Sequence, residues 1–584
     1  MTSLRQRFLL GPLLFSAVLA GCATQPETPE PVDPVAEAKP DAPPVTPESE
    51  VAEQPIPAAS VYPLLAAEFA LRNRDFQTGL RLLLEQAMIL DDPALARRAL
   101  QLAEFMQVND AALIAAMRLA DLDPDDSAAA ATAMRLLIAV GQPARAIEYA
   151  RKAKAGGRRI NAPALLQDFS QRPAAERRII ATGINELAMQ YPEDVDLTLA
   201  QALLKREQGD TAAAIEQLDA LLSREPDDER ALVVWTQLAL DTDRDKPFGR
   251  IDDAVNENPD NERLRLQYAR LLASNDQLDR ALEQFDVLIA SSPRNGDYLL
   301  SAALVELERE DYEAGRQRLD QLLALEQRVD EAYYYLGRLE EAVGNPRAAI
   351  DAYDRVESGR EQLDAVGRAG GLLLNAGELD EFDAFFDDHR WRSPDLDERL
   401  FALQGELLQD RKALERALRV YNEGIEIHSE SMPLIYSRAI VHEQLGDIAA
   451  MEADFRRILS FDPENATTLN ALGYMLTNQS DRFEEAAGLI ERALALNPGD
   501  PATLDSLGWV YFKMGRLEEA LTHLERAYQQ FPDPEVAAHL GETLWALGRF
   551  DAAKAIWTRA LRQDSDNTHV NETIGRLGVD LPLP

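Results

Sequence analysis

The stretch ATLDSLGWVYFKMGRLEEALTHLERAYQQFP, from Ala502 to Pro532, decides how the rest of the chain is read. Leu504, Leu507 and Tyr511 recur at helical spacing on one face of a first helix, with Gly508 beside Leu507. Ala520, Leu524 and Ala527 do the same for a second helix, and Pro532 cannot continue it. Glycine in the first helix and alanine early in the second remove bulk where the two cross, so their axes can come close. A hairpin of this length does not bury its apolar face alone, and stacking against copies of itself supplies the core.

Copies flank it on both sides. Upstream stand Leu469, Leu472, Gly473 and Leu476, then Ala486, Ile490, Ala493 and Pro498, with one extra residue in the turn. Downstream stand Ala537, Leu540, Gly541 and Leu544, then Ala553, Trp557 and Ala560, with Ser565 in the proline position. Prolines that end hairpins occur at Pro124, Pro192, Pro226, Pro259, Pro293, Pro463, Pro498 and Pro532, separated by 68, 34, 33, 34, 170, 35 and 34 residues. The two long gaps are two and five times 34, so the phase persists where proline is missing. Turn glycines Gly141, Gly209, Gly344, Gly377, Gly446, Gly515 and Gly548 share that phase.

The three copies fit the pattern W-x2-L-G-x2-Y…A-x3-F…P, with leucine in two aromatic slots, and so resemble tetratricopeptide repeat proteins. The resemblance implies an all-α, helix-turn-helix solenoid, wound as a right-handed superhelix, whose first helices line the concave side. The register accommodates about fifteen helix pairs over residues 58–565, then a capping helix, Val570 to Leu577, and a tail within 566–584. Clear pairs include Val195–Pro226, Glu262–Pro293, Asp330–Arg360 and Met432–Pro463, and Tyr62–Leu90 fits through Phe76, Gly79 and Leu83. Asn161–Pro192 and Glu229–Pro259 fit poorly. Gly156-Gly157-Arg158-Arg159 reads as an irregular loop, and Asp387–Asp397, with Trp391 and Pro394, as a second.

The sole cysteine, Cys22, explains the beginning of the chain. Arg5 and Arg7 precede an apolar run from Phe8 to Leu19, and Leu19-Ala20-Gly21-Cys22 closes it with small residues, as in a secretory signal over residues 1–21. It resembles the bacterial lipoprotein signal, which implies a cysteine that becomes the first residue and carries acyl chains. Ala23 in place of aspartate implies, by the same resemblance, the outer membrane of a Gram-negative bacterium and a body facing the periplasm. Residues 22–57 are rich in proline and acid and read as a disordered tether, extending on the order of 100 Å if fully stretched.

A formal charge of −41 argues against nucleic acid as a partner, since phosphate binding needs a basic surface, and favours basic partners. Composition offers no catalytic centre. The six histidines, His389, His428, His442, His523, His539 and His569, lie in no metal-binding spacing, and His442-Glu443 meets Gly446 where a second histidine would stand. Nucleophile-elbow, Walker and dinucleotide motifs are absent from the sequence. Asp121, Asp123 and Asp125 imitate a calcium loop, but Asp126 replaces its turn glycine. Asp241, Asp243 and Asp245 with Asp252 do so too, but Lys246 takes that place, and an ordinary turn is the simpler reading. Gly370-Gly371 falls where helices cross. We therefore expect no cofactor, no metal and no enzyme.

What remains is surface. On the first-helix face, Tyr436, Tyr474, Trp509, Phe512 and Trp545 are aromatics the packing pattern does not request, alongside Asn470, Asp505 and Glu542. They are candidate anchors for a partner segment; Trp509 and Trp545 equally suit packing against the next repeat or the cap. Tyr334, with Arg338 and Glu341, is a further candidate. The basic cluster that clamps a terminal carboxylate in some family members is missing, because Asn470 and Asp505 occupy its face. The layout of lipid signal, tether and degenerate repeats resembles the tetratricopeptide lipoproteins of pseudomonads. That resemblance implies an adaptor bringing peptidoglycan hydrolases to a carboxyl-terminal processing protease. A scaffold for pilus, secretion or exopolysaccharide assembly is the alternative, and a cell-wall enzyme the rival from another class.

Overall fold

The computed structural model describes residues 56–242 and 244–581. The signal segment, Cys22 and nearly all of the tether lie outside the described residues, as does Asp243. Among the described residues every regular element is a helix. No helix there is long and apolar enough to cross a membrane. The chain divides into two compact bodies between Arg318 and Leu319.

The first body contains α1 (Ala58–Arg72), α2 (Phe76–Ile89), α3 (Pro93–Phe105), α4 (Asn109–Leu122), α5 (Ser127–Ala139), α6 (Pro143–Ala155), α7 (Ala174–Gln190), α8 (Val195–Glu207), α9 (Thr211–Arg224), α10 (Glu229–Asp241), α11 (Gly249–Glu257), α12 (Glu262–Ser274), α13 (Leu278–Ser291) and α14 (Gly296–Glu308). Helix α15 (Tyr312–Ala324) contains the division. The second body continues with α16 (Val329–Ala342), α17 (Pro346–Tyr353), α18 (Gln362–Ala376), α19 (Leu379–Arg392), α20 (Asp397–Asp410), α21 (Leu414–Ile427), α22 (Met432–Gln444), α23 (Ile448–Phe461), α24 (Ala466–Gln479), α25 (Phe483–Leu496), α26 (Pro501–Lys513), α27 (Leu517–Gln530), α28 (Pro534–Ala546), α29 (Phe550–Gln563) and α30 (Thr568–Leu577).

All but one of the hairpins named below close by one repeated device. In the turn between the two helices one residue adopts the left-handed conformation, which caps the first helix and reverses the chain. Glycine does this at Gly141, Gly209, Gly344, Gly377, Gly446, Gly515 and Gly548. Where glycine is missing, Arg74, Gln107, Asp276, Glu310 and Lys412 take the same positive φ, between 57° and 62°, and keep the phase. The turn after α24 has its extra residue instead, and Ser480 there is extended. Many hairpins then begin with an Asp, Asn or Ser whose side chain accepts a hydrogen bond from an early amide, as Asp194, Asp228, Asn465 and Asp500 do.

Close helix crossing follows from the small residues. A Cβ placed on Gly508 would lie 2.5 Å from Leu524 Cγ, and one on Gly337, Gly405, Gly473 or Gly541 would likewise overlap Tyr353, Tyr421, Ile490 or Trp557. The partner is sixteen residues on in every pair except Gly473 and Ile490, where the longer turn makes it seventeen. Of the Gly370-Gly371 pair only Gly370 is at a crossing, against Phe382, Phe386 and Leu407; Gly371 faces open space. In the second body one buried cluster runs from Tyr334 to Val570, with Leu504, Ala527 and Val536 in a small one beside it, and in the first body a cluster reaching Leu204 meets one beginning at Leu199.

Three places depart from the even pattern. Before α7 the first helix of a repeat is replaced by 3₁₀ turns at Ala162–Leu166 and Phe169–Gln171, and Ile160, Leu165 and Phe169 keep the core filled. The hairpin expected over Asp330–Arg360 has a second helix of only eight residues, α17, followed by a loop through Gly359. The expected loop over Asp387–Asp397 is instead mostly helix. Helix α19 runs to Arg392, because Phe382, Phe386 and His389 form one buried face, and only Ser393–Leu396 is irregular. Trp391 is simply exposed on that helix.

Candidate concave groove of the second body

In the second body the first helices of successive repeats touch in two rows, α16–α18–α20–α22 and α24–α26–α28–α30. Contact between α22 and α24 is slight by comparison, and a cavity of about 590 Å³ opens there. Tyr436, Ile440 and Glu443 face it from α22, at i, i+4 and i+7 on one helical stripe. Asn470, Tyr474 and Asn478 face it from α24 at i, i+4 and i+8, again one helical stripe. Ala502, Asp505 and Ser506 come from α26, and Asp533, Glu535 and Val536 from the start of α28. Met451 and Phe455 of α23 form part of its apolar floor.

The far wall bends over the near one. Tyr474 donates its hydroxyl hydrogen bond to Glu535, two repeats further along the chain, passing across the small side chains of α26. Burial, and then the Glu535 carboxylate, push the Tyr474 phenol well above its ordinary value, so it stays protonated and donates. Burial also raises Tyr436, whose ring packs on Phe455 at 5.4 Å. Asp505 and His539 form a buried pair, with Nδ1 3.0 Å from Oδ2. The His539 ring is stacked on Trp509 at 4.0 Å. Asn470 is different: its Oδ1 is buried and has no hydrogen-bond partner among the described residues.

The candidate anchors thus separate. Tyr436 and Tyr474 line the groove. Trp509 is 6% exposed and supports it from behind, donating from Nε1 to Asn478 Oδ1 at 2.9 Å while Phe512 stacks parallel to it at 5.0 Å. Trp545 packs on Phe550 and Trp557, away from the cavity. Tyr334 is buried in a separate network, donating to Asp364 Oδ2 at 2.6 Å, with Arg338 at its hydroxyl. In that network Glu341 accepts from Tyr353 and Arg368.

The wall made by Asp533, Glu535 and Val536 was invisible to the repeat pattern, which treats the segment after Pro532 as punctuation. Among the described residues no group of three or more His, Cys, Asp or Glu is placed to hold a metal ion. Asp252, the closing position of the imitation calcium loop, is taken by Arg280 at 2.9 Å and by the Tyr268 hydroxyl.

The sequence also matches known proteins. Residues 478–538 and 511–577, and separately 199–234, 300–362 and 436–501, match the tetratricopeptide repeat. The chain is 33% identical over 485 residues to the TPR repeat-containing protein PA4667 of Pseudomonas aeruginosa, covering 83% of this chain and 82% of that protein. It is 22% identical over 419 residues to the TPR repeat-containing protein YpiA of Bacillus subtilis, covering 65% of this chain and 98% of that one. Among solved structures, the APC/C hetero-tetramer Cut9-Hcn1 aligns with 89% of this chain and 96% of its own at 14% identity and a TM-score of 0.32. The thermophilic TPR protein TTC0263 of Thermus thermophilus aligns with 31% of this chain and 100% of its own at 20% identity and a TM-score of 0.28. With 33% identity to a repeat protein over an alignment that spans more than four-fifths of both chains, this chain belongs to the tetratricopeptide repeat family.

Proposed function

We propose that the protein is an outer-membrane lipoprotein, anchored through Cys22, whose repeats gather periplasmic proteins, and that it acts as an adaptor bringing peptidoglycan hydrolases to a carboxyl-terminal processing protease. Tetratricopeptide repeats are scaffolds for protein–protein interaction, and the observation that carries the reading is the open groove between α22 and α24. Its floor is apolar, its walls carry polar groups, and one buried acceptor in it is unmet, which is the composition of a binding surface. A tethered scaffold holding a protease and its substrate raises their effective concentration without any chemistry of its own. Anchoring follows the same logic, since several acyl chains on one cysteine hold where a single chain is marginal.

Two measurements test it. Palmitate labelling of the chain in cells should be lost in Cys22→Ser, with the protein released from the membrane fraction; retention of both refutes the anchor. Purified protein without the signal should accelerate degradation of a wall hydrolase by the processing protease and capture both in a pull-down. No acceleration and no complex refute the adaptor. Capture of pilus or secretion components in place of the protease would move the function to assembly.

A further inference from the structure

We infer that the α22–α24 groove takes an extended peptide segment carrying lysine or arginine between apolar residues. This deepens the scaffold reading above and rests on it.

The charge of the groove is the first reason. Glu443, Asp505, Asp533 and Glu535 line it, and none of its lining residues is a lysine or arginine. Their partners do not cancel that charge with cations of the usual kind. Glu535 receives the neutral Tyr474 phenol, Asp533 the backbone N–H of Glu535, and Asp505 the imidazole of His539. Elsewhere in the same body carboxylates pair with guanidinium groups: Asp454 with Arg438, Glu485 with Arg456 and Arg482, Glu542 with Arg576. A cleft with walls of one sign focuses its field on what enters, so a cation is drawn in and an acidic terminus is repelled.

Hydrogen bonding gives the second reason. A buried acceptor without a donor is destabilising, and Asn470 Oδ1 stands in that condition on the groove wall. An entering N–H, from a peptide backbone or a basic side chain, removes the penalty. Shape and polarity give the third. Ala471, Ala502 and Ser506 leave room for a main chain, while Ile440, Met451 and Phe455 offer an apolar floor for residues between the charges. Phe531, 58% exposed, extends that apolar surface to the rim. An extended segment places alternate side chains on opposite sides, so one set meets the floor and the other the carboxylates.

The test is fluorescence anisotropy of a short, end-blocked, dye-labelled peptide of alternating arginine and leucine, at an ionic strength of about 0.15 M so that distant charges are screened. It should bind the wild-type protein, and the same peptide with glutamate for arginine should not. Glu443→Gln with Glu535→Gln should weaken binding at least about tenfold, each lost partner being a charge-assisted hydrogen bond. The glutamine at 535 still accepts from Tyr474, and an unchanged melting curve verifies the fold. Asn470→Leu should weaken binding too, whereas Glu518→Gln, an exposed carboxylate on α27 outside the groove, should leave it unchanged. Equal binding of the glutamate peptide, no loss in the double variant, or an equal loss in Glu518→Gln would overturn the inference. If the double variant still captures periplasmic partners as the wild type does, the groove assignment falls while the scaffold stands. If the arginine peptide binds in the groove but no partner is captured, the scaffold reading falls instead.

Discussion

Replacing Gly508 by alanine places one methyl group where α26 and α27 cross. The new Cβ would stand 2.5 Å from Leu524 Cγ, 3.0 Å from Leu524 Cδ2 and 3.1 Å from the backbone oxygen of Ala520. Comfortable carbon contacts lie at about 3.5–4.0 Å, so Leu524 must move by about 1 Å. It is fully buried, and the Ala520 oxygen belongs to the helix itself, so rotamer change alone does not make the room. Overpacking of this kind costs about 1–3 kcal/mol, and the geometry argues for the upper end. Alanine returns about 1 kcal/mol through its better helix propensity, leaving a net loss of about 2 kcal/mol. At Gly371, in the interior of α18 with nothing within 4 Å, only the propensity acts, and alanine should stabilise by about 0.5–1 kcal/mol. Repeat arrays open locally, so the suitable assay is hydrogen exchange read by mass spectrometry on peptides from α26 and α27. Gly508→Ala should speed exchange there about thirtyfold, and most of that effect should vanish in a Leu524→Ala background. Exchange within about threefold of wild type, or an equal effect in both backgrounds, would refute the argument that crossing distance selects this glycine.

Further outcomes follow from single residues. Asp354 is drawn down to about 2 by its hydrogen bond to His389 and by Arg392, with burial opposing. Its folded value lies below the unfolded one of about 3.9, so its contribution is present above about pH 4 and is lost as pH falls toward 2. Asp354→Asn should therefore lower Tm at pH 6, and the gap to wild type should close toward pH 2; a constant gap contradicts the assignment. Lys412 holds the left-handed turn position between α20 and α21 at φ 59° and is exposed, so Lys412→Gly should raise the local urea midpoint, gaining about 0.5–1 kcal/mol. Asp196 is buried between Arg230 and Arg159, and Asp196→Ala should destabilise α8 by about 2 kcal/mol in the same exchange assay. That is less than for a fully enclosed pair, because Arg230 reaches solvent.

The repeat, its length and its packing logic were legible because they are local. Leu504, Leu507, Gly508 and Leu524 announce a crossing whether or not the rest of the chain is known. Turn positions were legible only where glycine stands. Arg74, Gln107, Asp276, Glu310 and Lys412 adopt the same conformation with no compositional mark, since the helices on either side impose it. The shortness of α17 was hidden because Ala349, Ile350 and Tyr353 satisfy the pattern before the helix ends. The aromatic candidates could be placed on a face but not assigned a neighbour, and neighbours decide their use. Tyr474 reaches a residue two repeats away, while Trp509 is spent on His539 and Phe512. The acidic wall at Asp533 and Glu535 depends on how far one repeat turns relative to the next, which no motif encodes.

The crossings and the groove answer differently to changes in chain length. Gly337, Gly405, Gly473, Gly508 and Gly541 each share one hairpin with the side chain they accommodate, so loss of a whole hairpin leaves those crossings sound in the ones that remain. The Tyr474–Glu535 link counts hairpins: remove the one between them and the hydroxyl meets a different residue. The link from α24 to α28 therefore fixes how many hairpins stand across the groove, a constraint that a crossing within one hairpin does not impose.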